Sequence, residues 1–164
     1  MALAYLGIEM KVVPQAVKLR LRRPSNPMGE RRRILVVDDH EAIRQVSSRV
    51  LTQHGFDVES AENGVSAWKY LKLRRFDLLI TDHVMPKMSG VELLHKVHFA
   101  RLGIPVVMVS GNLPQDAFAK YPWIKPAATL VKPYSIAKLV QTVKCILGAS
   151  NGDPSPFPVD VSIG

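Results

Sequence analysis

Phe76-Asp-Leu-Leu-Ile-Thr-Asp82-His-Val-Met-Pro86-Lys-Met-Ser-Gly90 decides how the rest of the chain is read. Leu78, Leu79 and Ile80 form a short unbroken apolar run, the pattern of a strand buried on both faces of a parallel sheet. The run ends at Asp82, and Pro86 and Gly90 then punctuate a loop before the next helical pattern. An acid at the carboxyl end of a central parallel strand lies where open α/β sheets bind ligands. Asp82 lies seven positions before Ser89, the expected helix cap, so capping is the weaker account of this acid.

Working outward, Ile34 to Val37 reads as a first strand with Asp38 and Asp39 at its end. Ile43, Val46, Val50 and Leu51 then recur at helical spacing, with Gly55 as a stop. Phe56 to Ser60 reads as a second strand, and Asn63 as the cap of a helix carrying Val65, Trp68 and Leu71. Beyond the central strand, Ser89 is expected to cap a helix with Val91, Leu94, Val97 and His98 on one face. Ile104 to Ser110 reads as a fourth strand, with Pro105 tolerated near its start.

Pro114, Pro122 and Pro126 leave room for only a short helix before Thr129 to Val131, a brief fifth strand followed by Lys132-Pro133. Ser135 is expected to cap a last helix whose face carries Ile136, Leu139, Val140, Val143 and Ile146, with Gly148 just past its end. Strands and helices alternate, and right-handed crossovers then give a parallel sheet with helices on both faces.

The chain has 164 residues and a net charge of +8. Residues 1–33 carry eight Lys/Arg against Glu9 and Glu30, while the remaining residues carry 14 basic side chains against 12 acidic ones. The charge therefore belongs to a leader, residues 1–30, expected to be disordered. A folded body, residues 31–148, follows, and a Pro-rich tail, residues 149–164, is also expected to be disordered. No apolar run approaches the roughly 18 residues needed to cross a bilayer. Cys145 stands alone, so there is no disulfide framework and a cytoplasmic location is expected; its apolar neighbours suggest core filling.

Asp38, Asp39, Asp82, Ser110 and Lys132 all follow or end strands, so a parallel sheet brings them to one edge. Clustered carboxylates repel one another unless a cation sits among them. Oxygen donors of this kind suit Mg²⁺ and phosphoryl chemistry. With no His or Cys among the five, zinc is poorly supported.

On the Asp38-Asp39 pair, the run from Asp82 to Gly90, Ser110 and Lys132-Pro133, residues 34–148 resemble the receiver domain of two-component response regulators. The likeness is expected to be to stand-alone, chemotaxis-type members, which carry no output domain. The resemblance implies a flavodoxin-like, doubly wound five-stranded parallel sheet of order 2-1-3-4-5. It implies that Asp82 accepts a phosphoryl group from a sensor histidine kinase or phosphotransfer protein. Mg²⁺ would be held by Asp38, Asp39, Asp82 and the Val84 carbonyl, with Lys132 and Ser110 contacting phosphoryl oxygens. A cis peptide before Pro133 is also implied. The output would be contact with an unidentified downstream protein, with no specific nucleic acid and no turnover beyond slow self-dephosphorylation.

Two positions depart from the family pattern. Thr129 stands where the family places an aromatic switch residue, leaving a Ser110–Thr129 pair as a weaker coupling. Tyr121 to Pro126 replaces a regular helix, and its aromatics are read either as sheet cover or as a partner-binding patch. Val84, two residues past Asp82, cannot orient a water by hydrogen bonding, which implies a long-lived phosphorylated state.

Other classes fit less well. A dinucleotide-binding enzyme needs a glycine-rich turn after the first strand, where Asp38-Asp39-His40-Glu41 stands. Aspartate-based phosphohydrolases space their first-strand acids differently. A receiver acting without phosphorylation, or one whose basic leader binds nucleic acid nonspecifically, remains as an alternative.

Overall fold

A computed structural model describes residues 31–112, 118 and 125–149. The leader, the tail beyond 149, most of the 111–128 connection and the Tyr121/Trp123 patch lie outside the described residues.

Runs of three or four apolar residues form the bodies of β1 (Arg33–Val37), β3 (Leu78–Asp82) and β4 (Val106–Ser110), with β2 (Asp57–Ala61) and β5 (Ala128–Val131) at the edges. All neighbours pair in parallel, in the order β2-β1-β3-β4-β5. β3 and β4 are buried at every position, which is why their sequences show no polar alternation.

Side chains still alternate between the two faces, so one run feeds two cores. Leu35, Val37, Leu79 and Met108 join Ala67, Leu71, Leu93, Leu94 and Val97 on one side. Ile34, Val36, Leu78, Ile80, Val107, Val109 and Leu130 join Leu51, Leu139, Val140 and Val143 on the other. The first face is covered by α2 (Gly64–Leu73) and α3 (Gly90–Phe99). The second is covered by α1 (Glu41–Gln53) and α4 (Ile136–Ala149).

The helix starts behave as their sequences require. The Asn63 side chain accepts the Ser66 N–H at 3.0 Å. Ser89 and Glu92 form a reciprocal capping box, each satisfying an N–H that the first turn leaves without a partner. The Ser135 hydroxyl accepts the Lys138 N–H at 3.2 Å. At the amino edge of the sheet, Asp77 accepts the Arg33 N–H at 2.7 Å and pairs with Arg32 at 3.2 Å, fastening β1 to β3 from that end.

Several helical positions differ from expectation. Ile43 and Val46 are exposed, and α1 instead turns Ser47 and Leu51 inward. His98 is exposed and Leu93 takes the inward place on α3. Ile136 is exposed, α4 runs through Gly148, and Cys145 is on the surface rather than in the core. Pro105 precedes β4, where its carbonyl accepts the Leu79 N–H at 3.0 Å.

Candidate phosphoacceptor and cation site

The carboxyl ends of β1, β3 and β4 and the residue after β5 meet at one edge, and the acids predicted there do converge. Asp38 and Asp82 are buried, at 4% and 6% exposure. Lys132 Nζ donates to Asp82 Oδ2 at 2.7 Å and to Asp38 Oδ2 at 3.1 Å. Burial alone would depress the Lys132 ammonium, but the hydrogen bonds and charges of Asp82 and Asp38 together outweigh it and hold the group above its ordinary value. One cation thus lies between two buried carboxylates, with Asp39 half-buried beside them.

The loop backbone fixes this arrangement. Arg44 donates to the Asp38 carbonyl at 2.7 Å, and the His40 N–H donates to Asp38 Oδ1 at 2.8 Å. The His83 N–H donates to the Val109 carbonyl at 2.8 Å, and the His83 carbonyl accepts the Gly90 N–H at 2.9 Å. That second bond folds the loop back so tightly that a Cβ on Gly90 would lie 2.2 Å from the Asp82 carbonyl oxygen. Only glycine fits there, which accounts for its place eight residues beyond the acid.

Val84 is on the same loop and is 71% exposed. Ser110 is buried at the end of β4, where its hydroxyl accepts the Asn112 N–H at 3.1 Å and donates to the Asn112 carbonyl. The Lys132–Pro133 peptide is cis. Thr129 is exposed on β5 and stands opposite Met108, whereas Ser110 stands opposite Val131. Residues 110 and 129 are therefore diagonal neighbours along the pair rather than direct partners.

Three participants escape a reading that stops at the aspartate pair. His40 Nδ1 lies 3.1 Å from Asp39 Oδ1. Arg44 holds the Asp38 carbonyl. Tyr134 sits close enough for its charge state to feel Lys132, Asp38 and Asp82; burial pushes its hydroxyl up, opposed by a hydrogen bond with the buried Ser47. The available signal was spacing: Arg44 stands one helical turn past His40, and Tyr134 two residues past Lys132.

The three carboxylates suit a hard divalent cation. One ligand atom from each of Asp38, Asp39, His40 and Asp82 lies within 4.8 Å of all the others. Among the described residues Lys132 is the one cation bonded to the carboxylates of Asp38 and Asp82, and with Arg44 on the Asp38 carbonyl the three acids still outnumber the positive charges, leaving negative charge for an ion to balance.

Comparison with known proteins agrees with this geometry. Residues 34–144 match the response regulator receiver domain. The chain is 31% identical over 127 residues to the DNA-binding transcriptional regulator NtrC of Azospirillum brasilense, covering 77% of this chain and 26% of that one. It is also 31% identical over 137 residues to the sensor kinase CckA of Brucella abortus, covering 82% and 14%.

Among solved structures, the chemotaxis response regulator CheY4 of Vibrio cholerae superposes with a TM-score of 0.65 at 28% identity, covering 71% of this chain and 99% of that one. A CheY-like receiver domain protein from Methanospirillum hungatei gives 0.69 at 29% identity, covering 74% and 97%. The chain belongs to the response regulator receiver domain family. It spans about a quarter or less of the curated relatives named here. Among the described residues, no helix is long and apolar enough to cross a membrane.

Proposed function

We propose that this chain is a phosphorylation-controlled switch, with Asp82 as the phosphoacceptor. The observation that carries the reading is the pair of bonds from Lys132 to Asp82 and Asp38, which places a fixed cation against a buried carboxylate at the carboxyl end of β3.

An Asp82 carboxylate oxygen attacks the phosphorus of a phosphohistidine on a sensor kinase or phosphotransfer protein. The O–P bond forms as the P–N bond breaks, and the electron pair leaves with the imidazole nitrogen. Little covalent help is needed; the transfer depends on positioning and on neutralising the transferred oxygens. Lys132 already donates to Asp82 Oδ2 and can pass from it to a phosphoryl oxygen. Ser110, at the end of the adjacent strand, can offer its hydroxyl to another by giving up the Asn112 carbonyl.

Asp38, Asp39, Asp82 and the Val84 carbonyl would hold Mg²⁺, which when bound offsets the charge of the acids and of the phosphoryl group. The chain's role is then signalling through contacts with a downstream protein rather than turnover. A cytoplasmic location fits the single cysteine.

Intact mass after incubation with acetyl phosphate tests the reading. A Mg²⁺-dependent gain of one phosphoryl group, absent in Asp82→Ala, is expected. Equal gain in the variant would overturn it.

A further inference from the structure

The switch reading leaves one residue at the site without a task. His40 occupies the N-cap of α1, where an oxygen-bearing side chain ordinarily accepts an N–H from the first turn. Its ring makes no such bond. Nor does it fill the core, since its side chain is 69% exposed. The ring is nonetheless turned toward the acids, with Nδ1 3.1 Å from Asp39 Oδ1 and 3.7 Å from Asp38 Oδ1.

The two oxygens of Asp38 divide the site. Lys132 takes Oδ2, and the His40 backbone N–H takes Oδ1. The amine thus comes from the β5 side and the imidazole from the α1 side, with Asp39 and Asp82 completing the cluster. The ligand atoms of these three acids and the imidazole lie within 4.8 Å of one another. A six-ligand shell with bonds of about 2.1 Å is about 4.2 Å across. Small side-chain movements would therefore close all four groups on one ion.

Adding a nitrogen donor to carboxylates changes which ions the site favours. Mg²⁺ prefers oxygen, whereas imidazole suits the later first-row divalent ions. We propose that His40 is a further protein ligand of the cation site. This rests on the reading that Asp38, Asp39 and Asp82 hold a divalent cation. The imidazole turns the selectivity toward Co²⁺, Ni²⁺ and Zn²⁺, so that small amounts of these ions displace Mg²⁺.

Co²⁺ alone, added to the full chain, is the probe. The proton NMR spectrum of the loaded protein should show a contact-shifted imidazole resonance that His40→Ala removes. By calorimetry, the variant should lose at least the roughly tenfold in Co²⁺ affinity that losing even an outer-shell partner costs. Its Mg²⁺ affinity should stay within about twofold, because Mg²⁺ keeps water in preference to nitrogen. Survival of that imidazole resonance in the variant overturns the proposal. So does an equal loss of Co²⁺ and Mg²⁺ affinity, since the ring would then only orient Asp39. If the wild-type chain binds neither ion, the cation reading itself fails and this proposal with it. If Mg²⁺ binds normally and His40→Ala changes nothing, the proposal alone fails.

Discussion

Lys132 and Asp82, 50 residues apart in the chain, are joined by a 2.7 Å hydrogen bond at the edge of the sheet, and the same ammonium reaches Asp38 at 3.1 Å. Removing the lysine leaves two buried carboxylates facing each other with no cation bonded to either, since Arg44 reaches only the Asp38 backbone carbonyl. Such a loss typically costs about 3–5 kcal/mol; with Lys132 about a quarter exposed, the lower end is expected. Lys132→Met should therefore lower the urea midpoint, and millimolar Mg²⁺ should restore part of the loss. An unchanged midpoint would show that the ion pair carries no such weight.

Removing an acid should have the opposite sign. Three carboxylates crowd one lysine at this edge, so Asp82→Asn relieves like-charge repulsion while keeping the side chain's shape. The variant should unfold at a higher temperature than the wild type without metal, and added Mg²⁺ should raise the wild type more than the variant. Thermal scans with and without Mg²⁺ measure both effects.

Gly90 is sterically required. A methyl group at this position would overlap the Asp82 carbonyl oxygen, and backbone cannot yield as a flexible side-chain tip does. Gly90→Ala should cost at least the roughly 1–3 kcal/mol typical of overpacking. It should also slow phosphoryl uptake from acetyl phosphate, because the loop after Asp82 must shift. Normal uptake in a destabilised variant would confine the effect to folding.

The capping box of α3 gives a pH-dependent signature. Hydrogen bonds from the Ser89 N–H and hydroxyl hold the Glu92 carboxyl below its ordinary value. A carboxyl depressed on folding stabilises the protein above its unfolded pKa, and the contribution is lost as pH falls through the folded one. Glu92→Gln should therefore weaken the protein at neutral pH, modestly because the site is exposed, and the difference should close in acid. Ser89→Ala should cost about 1 kcal/mol. Urea titrations of wild type and both variants at neutral and acid pH test these signs.

Val84 is exposed two residues past Asp82 and offers no hydrogen bond to an attacking water. Val84→Asn should accelerate loss of the phosphoryl group, measured as decay of the phosphorylated mass after the donor is removed. An unchanged rate would show that water is oriented from elsewhere.

The sheet was legible because strands buried on both faces need unbroken apolar runs, as in Leu78 to Ile80 and Val106 to Val109. The acids were legible because strand ends in a parallel sheet share an edge. Helix faces were read less well, since the edge of an amphipathic stripe is ambiguous by a residue. Ile43 and Val46 look inward by spacing but stand outside, whereas Ser47 is buried near the Tyr134 hydroxyl. Cys145 has apolar neighbours in sequence but falls on the outer side of α4. The place of His40 beside the acids depends on where the loop after β1 turns its ring, which residue type and spacing do not specify.

Locating the phosphoryl group tests the central reading most directly. An acyl phosphate on aspartate is reduced by borohydride to homoserine, marking the modified residue for peptide mass spectrometry. After incubation with acetyl phosphate and Mg²⁺, homoserine is expected at position 82 and at no other aspartate. Its appearance at Asp38 or Asp39 instead, or nowhere while the intact mass still rises, would contradict the assignment of Asp82 as the phosphoacceptor.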